Sequence, residues 1–307
     1  MKLSIIIPAF NEVENIPQLH SELTDQIRMV DRIEDYEIVF VDDHSSDNTM
    51  DILRRLGDPH VRGIRLSRRS GSHIALRAGL HAAGGDAVLC LSADGQDDPG
   101  VLKEMISQWF SGVQVIWALR KGRQDEPGYF RFAANCFYHF LKGIGVQTDS
   151  EVDLNRADFF LLDRVVVDAL NTCLEQKTSV FGLLNWMGFK TGAVEYERRP
   201  RRAGRSKWSL SARINLAWDW IAGFSGAPLR LVLWVGLLVF VMGLVFQGAV
   251  VCGIAPQLSM GNNPGVMALL LITGGVQMLA LGIIGAYVWR GVEDARGRPL
   301  YFIEEKI

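Results

Sequence analysis

Five short runs of apolar, β-branched residues mark the first part of the chain, at residues 3 to 8 (LSIIIP), 36 to 41 (YEIVFV), 61 to 66 (VRGIRL), 86 to 92 (DAVLCLS) and 113 to 119 (VQVIWAL). Each has the length of a strand and enough apolar character to be buried on both faces. Stretches with helical spacing lie between and after them, roughly at 12 to 29, 47 to 57, 73 to 84 and 100 to 111. Strand alternating with helix predicts an α/β fold, a Rossmann-like and mostly parallel sheet covered on both faces. Ligands of such sheets bind beyond the carboxyl ends of the strands.

The hydrophobic pattern changes character near the end. Leu231 to Gly253 and Gly265 to Trp289 are each more than 20 residues long and carry no charge. Either is long enough to cross a hydrocarbon core of about 30 Å, whereas buried helices of a soluble protein, the competing explanation, rarely need so many consecutive apolar positions. Arg230 precedes the first run, Arg290, Arg296 and Arg298 follow the second, and the connector IAPQLSMGNNP is uncharged. The positive-inside rule then places both ends in the cytoplasm, with a hairpin of two transmembrane helices between them. Just upstream, Leu210, Ile214, Ala217, Trp218 and Ile221 recur at helical spacing. They predict an amphipathic helix at the membrane interface, a core helix being the alternative. The expected organisation is a cytosolic catalytic domain over 1–208, an amphipathic juxtamembrane region over 209–229, two spans within 230–290 (231–253 and 265–289), and a cytosolic tail over 291–307.

Composition adds three constraints. With 307 residues of which 49% are apolar, the chain has material for a full core, which excludes disorder and disulfide miniproteins. Its four cysteines show no CxxC spacing, and Cys90 and Cys252 sit in apolar runs, as expected of thiols in a reducing compartment. Residues 1 to 189 carry 19 Lys and Arg against 27 Asp and Glu, whereas 190 to 230 carry 9 against 3. An acidic body followed by a basic collar argues against nucleic-acid binding and for a surface that meets phosphates.

The polar residues gather where a ligand would bind: Pro8-Ala9-Phe10-Asn11-Glu12 after the first strand, Asp42 to Asp47 after the second, and Ser92 to Pro99 after the fourth. Any one such loop is weak evidence, since Asp and Ser before a helix are ordinary caps, which is how Asp47 and Asp98 are best explained. No G-x-G-x-x-G, Walker-type, zinc-spaced or Gly-x-Ser-x-Gly motif is present, which disfavours dinucleotide, P-loop, zinc and serine-hydrolase chemistry. From 198 to 207 the run RRPRRAGRSK places six cations in ten residues. It reads equally as a headgroup patch and as a loop that folds over the crevice. Asp94 with Gln96 offers hard oxygens for Mg²⁺ or Mn²⁺, and Asp43 can accept an N–H from a nucleobase.

PAFNE, VDDHSSD, SADGQDDP, the stretch Arg201, Gly204, Ser206, Lys207, Trp208, then GFSGAPLR, LGIIGAYVWR and RPLYF occur in one order. Together, over nearly the whole chain, they resemble the family-2 glycosyltransferases of GT-A fold that load sugars onto polyprenyl phosphates. The resemblance implies that Pro8, Ala9, Asn11, Glu12, Asp43, Ala93 and Asp94 bind a nucleotide-diphosphate sugar, a UDP-sugar in preference to GDP-mannose. It implies a metal at Ser92, Asp94 and Gln96, and acceptor phosphate contacts from Arg120, Arg131, Arg201, Ser206 and Lys207. Asp94, Arg120, Arg131 and Asp158 are the catalytic residues it implies. The expected enzyme is an inverting, multi-pass hexosyltransferase of the bacterial inner membrane, forming homo-oligomers, with undecaprenyl phosphate as a typical acceptor. The alternative is a membrane-anchored nucleotide-sugar-binding scaffold.

The sequence departs from the family pattern in several places. Ser92 stands at the first Asp of the metal motif, leaving Asp42, Asp97 or the donor diphosphate to supply oxygens. Ala157-Asp158-Phe159-Phe160 replaces Gly-Asp-Phe-Arg, Arg69 and Ala134 replace Asn and Ser, and Ala286 replaces Glu.

Overall fold

The computed structural model describes residues 1–121, 156–173, 175, 179–200, 229, 232–239, 241–242, 245, 252 and 264–307. The five expected strands are all present: β1 (Lys2–Ala9), β2 (Asp35–Asp42), β3 (Val61–Leu66), β4 (Ala87–Cys90) and β5 (Val115–Arg120). Between and after them come α1 (Ile16–Arg28), α2 (Thr49–Leu56), α3 (Ser72–Ala82) and α4 (Leu102–Phe110), the last preceded by a 3₁₀ turn at Pro99–Val101. Beyond them are β6 (Ala157–Asp163), α5 (Arg164–Thr172), α6 (Val180–Trp186), β7 (Thr191–Tyr196), α7 (Pro264–Ala295) and β8 (Ile303–Lys306).

All eight strands form one sheet in the order β7-β5-β6-β4-β1-β2-β3-β8. The sheet is mixed, with six strands running one way, as a mostly parallel sheet requires, and β6 and β8 running against them. β1, β2, β3 and β4 run parallel, as do β5 and β7, but β6 is antiparallel to both β4 and β5, and β8 is antiparallel to β3. The two reversed strands come after β5, where the strand-helix alternation of the first half stops.

Continuous apolar strands are explained by a core on each face. Leu3, Ile5 and Ile7 of β1 with Ile38 and Phe40 of β2 join Leu19 and Leu23 of α1 on one side. Ile6, Val39 and Val41 join Leu80 of α3 and Val166 of α5 on the other. α3 approaches β1 closely because Gly79 lacks a side chain: a Cβ there would come within 2.2 Å of the Ile6 Cγ2 methyl. Burial of this kind contributes about 25 cal/mol per Å² of apolar surface.

Among the described residues one helix is long and apolar enough to cross a membrane, Thr273–Ala295 within α7. The second expected span, 265–289, falls wholly on α7. Of the first, the described residues 232–239, 241–242 and 245 are helical and mostly exposed. The amphipathic stretch expected over 209–229 lies outside the described residues except for Leu229.

Candidate active site

The sheet directions decide where the polar loops meet. Parallel pairing brings the carboxyl ends of β1, β2, β3 and β4 to one edge, with Ala9 beside Asp42. Because β6 is antiparallel to both β4 and β5, β5 again points the same way and ends there at Arg120, and β6 starts there with Asp158. β7, parallel to β5, delivers Tyr196 to the same edge with Arg198 and Arg199 following. Residues from seven strand ends thus share one crevice.

On the β1–β2 side the loops interlock. The Asn11 amide donates to Ser45 Oγ at 2.8 Å, and Asn11 Oδ1 accepts from the Ser46 amide at 2.8 Å. Asn11 (φ 54°) and His44 (φ 60°) are the non-glycine residues with left-handed backbone among those described, a strained state that persists only where surroundings over-determine it. Asp43 is buried, and its two oxygens accept the amides of Ser70 at 2.6 Å and Gly71 at 2.8 Å, in the loop after β3. Burial nevertheless raises its pKa above the ordinary carboxylate value. A carboxylate fixed in this way keeps its direction and can still accept an N–H from a ligand. Beside it, the Arg69 guanidinium lies over the Phe10 ring at 4.2 Å.

The loop after β4 is built around Ser92. Its hydroxyl lies 2.8 Å from Asp94 Oδ1 and 2.7 Å from Asp97 Oδ2, so a single proton faces two carboxylates. The Ser92 amide also donates to Asp97, at 2.7 Å. Burial pushes Asp97 up to about 6, and the neighbouring charges of Asp158 and Asp94 add to the effect. Tyr196 OH donates to Asp158 Oδ2 at 2.7 Å and lies 3.4 Å from Asp97. Asp98 caps the following turn through the Gly100 amide, and Asp47 accepts the Thr49 amide that opens α2, both as their positions suggested.

The first cations of the basic run are held against this acidic loop. Arg198 donates to Gln96 Oε1 at 3.1 Å and lies 3.7 Å from Asp158, whereas Arg199 pairs with Glu22 at 3.0 Å and Asp98 at 2.8 Å. The chain therefore enters 201–207 already anchored at the mouth of the crevice. Asp42 is unavailable as a substitute ligand: fully buried, it accepts from Arg65 at 2.7 Å and from the Ser45 amide at 3.0 Å.

The model of "Glycosyl transferase family 2" matches residues 4–169. An uncharacterised glycosyltransferase of Bacillus subtilis is 35% identical over 99% of this chain and 94% of its own length. A prophage-derived bactoprenol glucosyl transferase of Shigella flexneri is 34% identical over 99% of this chain and 98% of its own. The chain belongs to glycosyl transferase family 2. A solved fold similar to that of this family member is glucosyl-3-phosphoglycerate synthase of Mycobacterium tuberculosis, crystallised with Mn²⁺, UDP-glucose and phosphoglyceric acid. It has a TM-score of 0.51 and 16% identity, covering 72% of this chain and 77% of that one.

In this family 2 glycosyltransferase the structure brings Asn11, Glu12, Asp43, Ser92, Asp94, Gln96, Arg120 and Asp158 to one edge. Ala9 and Ala93 are also there, but their side chains are buried in the core, so they offer only backbone to a ligand. Pro8 lies one residue inside the end of β1. Arg131, Arg201, Ser206, Lys207 and Ala134 lie outside the described residues. Phe160, at the position of the family's arginine, is buried against Trp117 and Phe181, with both ring distances 5.3 Å. Sequence reasoning missed Tyr196 and the pairing of Arg198 and Arg199; the available signal was the position of EYERR directly before the basic loop.

The donor set fits a divalent cation of a particular kind. Asp94, Ser92 and Gln96 provide hard oxygens but one full charge. Among the described residues no group of three or more His, Cys, Asp or Glu side chains is arranged to hold a metal. Mg²⁺ and Mn²⁺ tolerate such sites when substrate phosphates complete the coordination.

Proposed function

We propose that the chain transfers a hexose from a nucleotide-diphosphate sugar, UDP-glucose being the donor of choice, to a polyprenyl phosphate such as undecaprenyl phosphate at the cytoplasmic face of the bacterial inner membrane. The observation that carries this reading is the path of the tail. β8 enters the sheet beside the end of β3, at the crevice edge, and only Arg296–Phe302 separates it from α7. Seven residues reach at most about 25 Å, which tethers the crevice near one end of an apolar helix. A lipid phosphate at the headgroup plane is then within reach, whereas its isoprenoid tail stays in the bilayer. The full-length likeness to a bactoprenol glucosyl transferase supports the acceptor, and the fold of a UDP-glucose enzyme is consistent with the donor.

In this reading Asp43 accepts an N–H of the base, with Asn11 and Glu12 flanking the nucleotide. Asp94, Ser92 and Gln96 would hold Mg²⁺ or Mn²⁺ together with the donor diphosphate, the Ser92 hydroxyl and Gln96 Oε1 exchanging Asp97 and Arg198 for the ion, whereas Asp42 is fully buried against Arg65. When bound, that ion neutralises charge on the departing diphosphate. Arg120, Arg131, Arg201, Ser206 and Lys207 grip the acceptor phosphate. A phosphate monoester is already anionic at neutral pH, so its oxygen needs no general base to attack the anomeric carbon. The new C–O bond forms as the bond to the nucleoside diphosphate breaks on the opposite face, giving inversion. The protein's work is alignment and neutralisation. Asp158 contributes by holding Tyr196 and Arg198, and thereby the start of the basic loop. A hairpin of two spans, 231–253 and 265–289, with both termini cytoplasmic, completes the arrangement, and small residues such as Gly275 and Gly282 on α7 suit close packing in a homo-oligomer.

The test mixes membranes carrying the protein with labelled UDP-glucose, or GDP-mannose in parallel, undecaprenyl phosphate and Mg²⁺. Label is expected in the organic phase. The Asp94→Ala variant is expected to lower transfer by about 100-fold or more, the loss typical of removing a group that stabilises developing charge. Full activity in that variant would exclude the metal assignment, and nucleotide binding without any transfer would favour the scaffold.

A further inference from the structure

The last residues of the chain touch the loops that bind the donor in the reading above. Gly63 and Ile307 exchange backbone hydrogen bonds of 3.0 and 2.9 Å, and the Ser67 amide donates to the Phe302 carbonyl at 2.9 Å, which seats β8 along β3. Glu304 then lies between two residues of the nucleotide side. Its Oε2 accepts from Arg65 Nε at 3.0 Å and is 3.4 Å from His44 Nδ1. That nitrogen also faces the Leu66 carbonyl at 3.1 Å and, since a carbonyl only accepts, carries the proton. Arg65 passes the contact on, donating to Asp42 at 2.7 Å and to the Ser45 carbonyl at 3.0 Å. Ser45 in turn holds the Asn11 amide.

A continuous path of hydrogen bonds therefore runs from the tail into both nucleotide loops, and it meets His44 and Asn11, the two non-glycine residues with left-handed backbone among those described. Such conformations survive only where several contacts fix them together. Glu305, the next residue, is directed elsewhere and pairs with Arg54 on α2.

We infer that Glu304 is a positioning residue: the docked C-terminal strand holds His44 to Ser46 and Asn11 in the shape that binds the nucleotide, so loss of its carboxylate weakens donor binding and leaves the chemical step intact. This rests on the donor assignment of the proposed function. Its consequence is that the tail, reached directly from the membrane helix, is a part of the donor site.

The experiment compares the full-length wild type with Glu304→Ala, Glu304→Gln and Glu304→Asp, using UDP-glucose and undecaprenyl phosphate, with UDP binding measured by calorimetry on the same detergent-solubilised proteins. For the alanine and glutamine variants the donor KM and the UDP dissociation constant are expected to rise about three- to tenfold, with kcat within about twofold of wild type. The aspartate variant is expected to recover part of the loss. Glu305→Ala removes the same charge from the same strand and is expected to keep the wild-type donor KM. An active wild type whose Glu304 variants keep its donor KM overturns the inference alone, as does an equal rise in the Glu305 variant. A wild type that neither binds UDP nor transfers glucose or mannose overturns the donor reading, and this inference with it.

Discussion

At the residue scale the ionised form is disfavoured most plainly at Asp97 in the crevice. Asp97 is buried at 3% exposure, and its pKa of about 6 stands above the 3.8 of an exposed aspartate. A carboxyl whose folded pKa is raised binds its proton more tightly when folded. Its contribution to stability is complete below about pH 3.8 and is lost as the pH rises through about 6. Asp97→Asn removes that dependence, and an amide can still accept from the Ser92 amide and donate to the Ser92 or Tyr196 oxygen. The ligand-free variant is expected to be more stable than wild type at pH 7.5, by about 1 to 3 kcal/mol, with the difference closing toward pH 5. Thermal melts across that range check it; a variant less stable at pH 7.5 would show that the ionised form is held favourably. Asp43 and Asp94 were legible in the sequence because each follows a readable strand. Tyr196 was not, because its partners Asp97 and Asp158 are 99 and 38 residues away and only the sheet unites them.

The elements show the same division. The first five strands were readable since most of their residues are buried between the two cores and are apolar, β3 with Arg62 and Arg65 being the least so. β8 (Ile303–Lys306) is charged at three of four positions, as an edge strand is free to be: its backbone pairs with β3 and its carboxylates find Arg65 and Arg54. β6 carries an apolar run, but its direction, which makes the sheet mixed, leaves no mark on a pattern that is the same read in either sense. One element contact yields a sharp test. Gly79→Ala improves the intrinsic propensity of α3 by about 1 kcal/mol, yet it drives a methyl into Ile6 on a central strand with no room to yield. Overpacking of this kind costs about 1 to 3 kcal/mol, so packing wins. The variant is expected to melt about 2 to 6 °C below wild type, and a rise would mean that α3 stands off the sheet.

On the scale of the whole molecule, the tether between α7 and β8 restricts how the crevice can face the bilayer. Its seven residues join the end of α7 to the sheet edge that carries Asp43 and Asp94, so whichever side of the membrane receives the end of α7 also receives the crevice. By the positive-inside rule Arg290, Arg296 and Arg298 at that end would put it in the cytoplasm, the side that the proposed function requires. A hairpin then requires the connector at 254–263 to lie on the opposite side. Thiol labelling separates the cases. In a background with Cys136→Ser and Cys252→Ser, a cysteine substituted at Asn262 is expected to react with a membrane-impermeant maleimide in intact cells, whereas the partly exposed Cys173 of the catalytic domain reacts only after permeabilisation. Protection of both sites until permeabilisation would mean that the chain does not pass through the bilayer and return, and the crevice would need another means of meeting its lipid. Labelling of Cys173 from outside would invert the molecule and separate it from its donor.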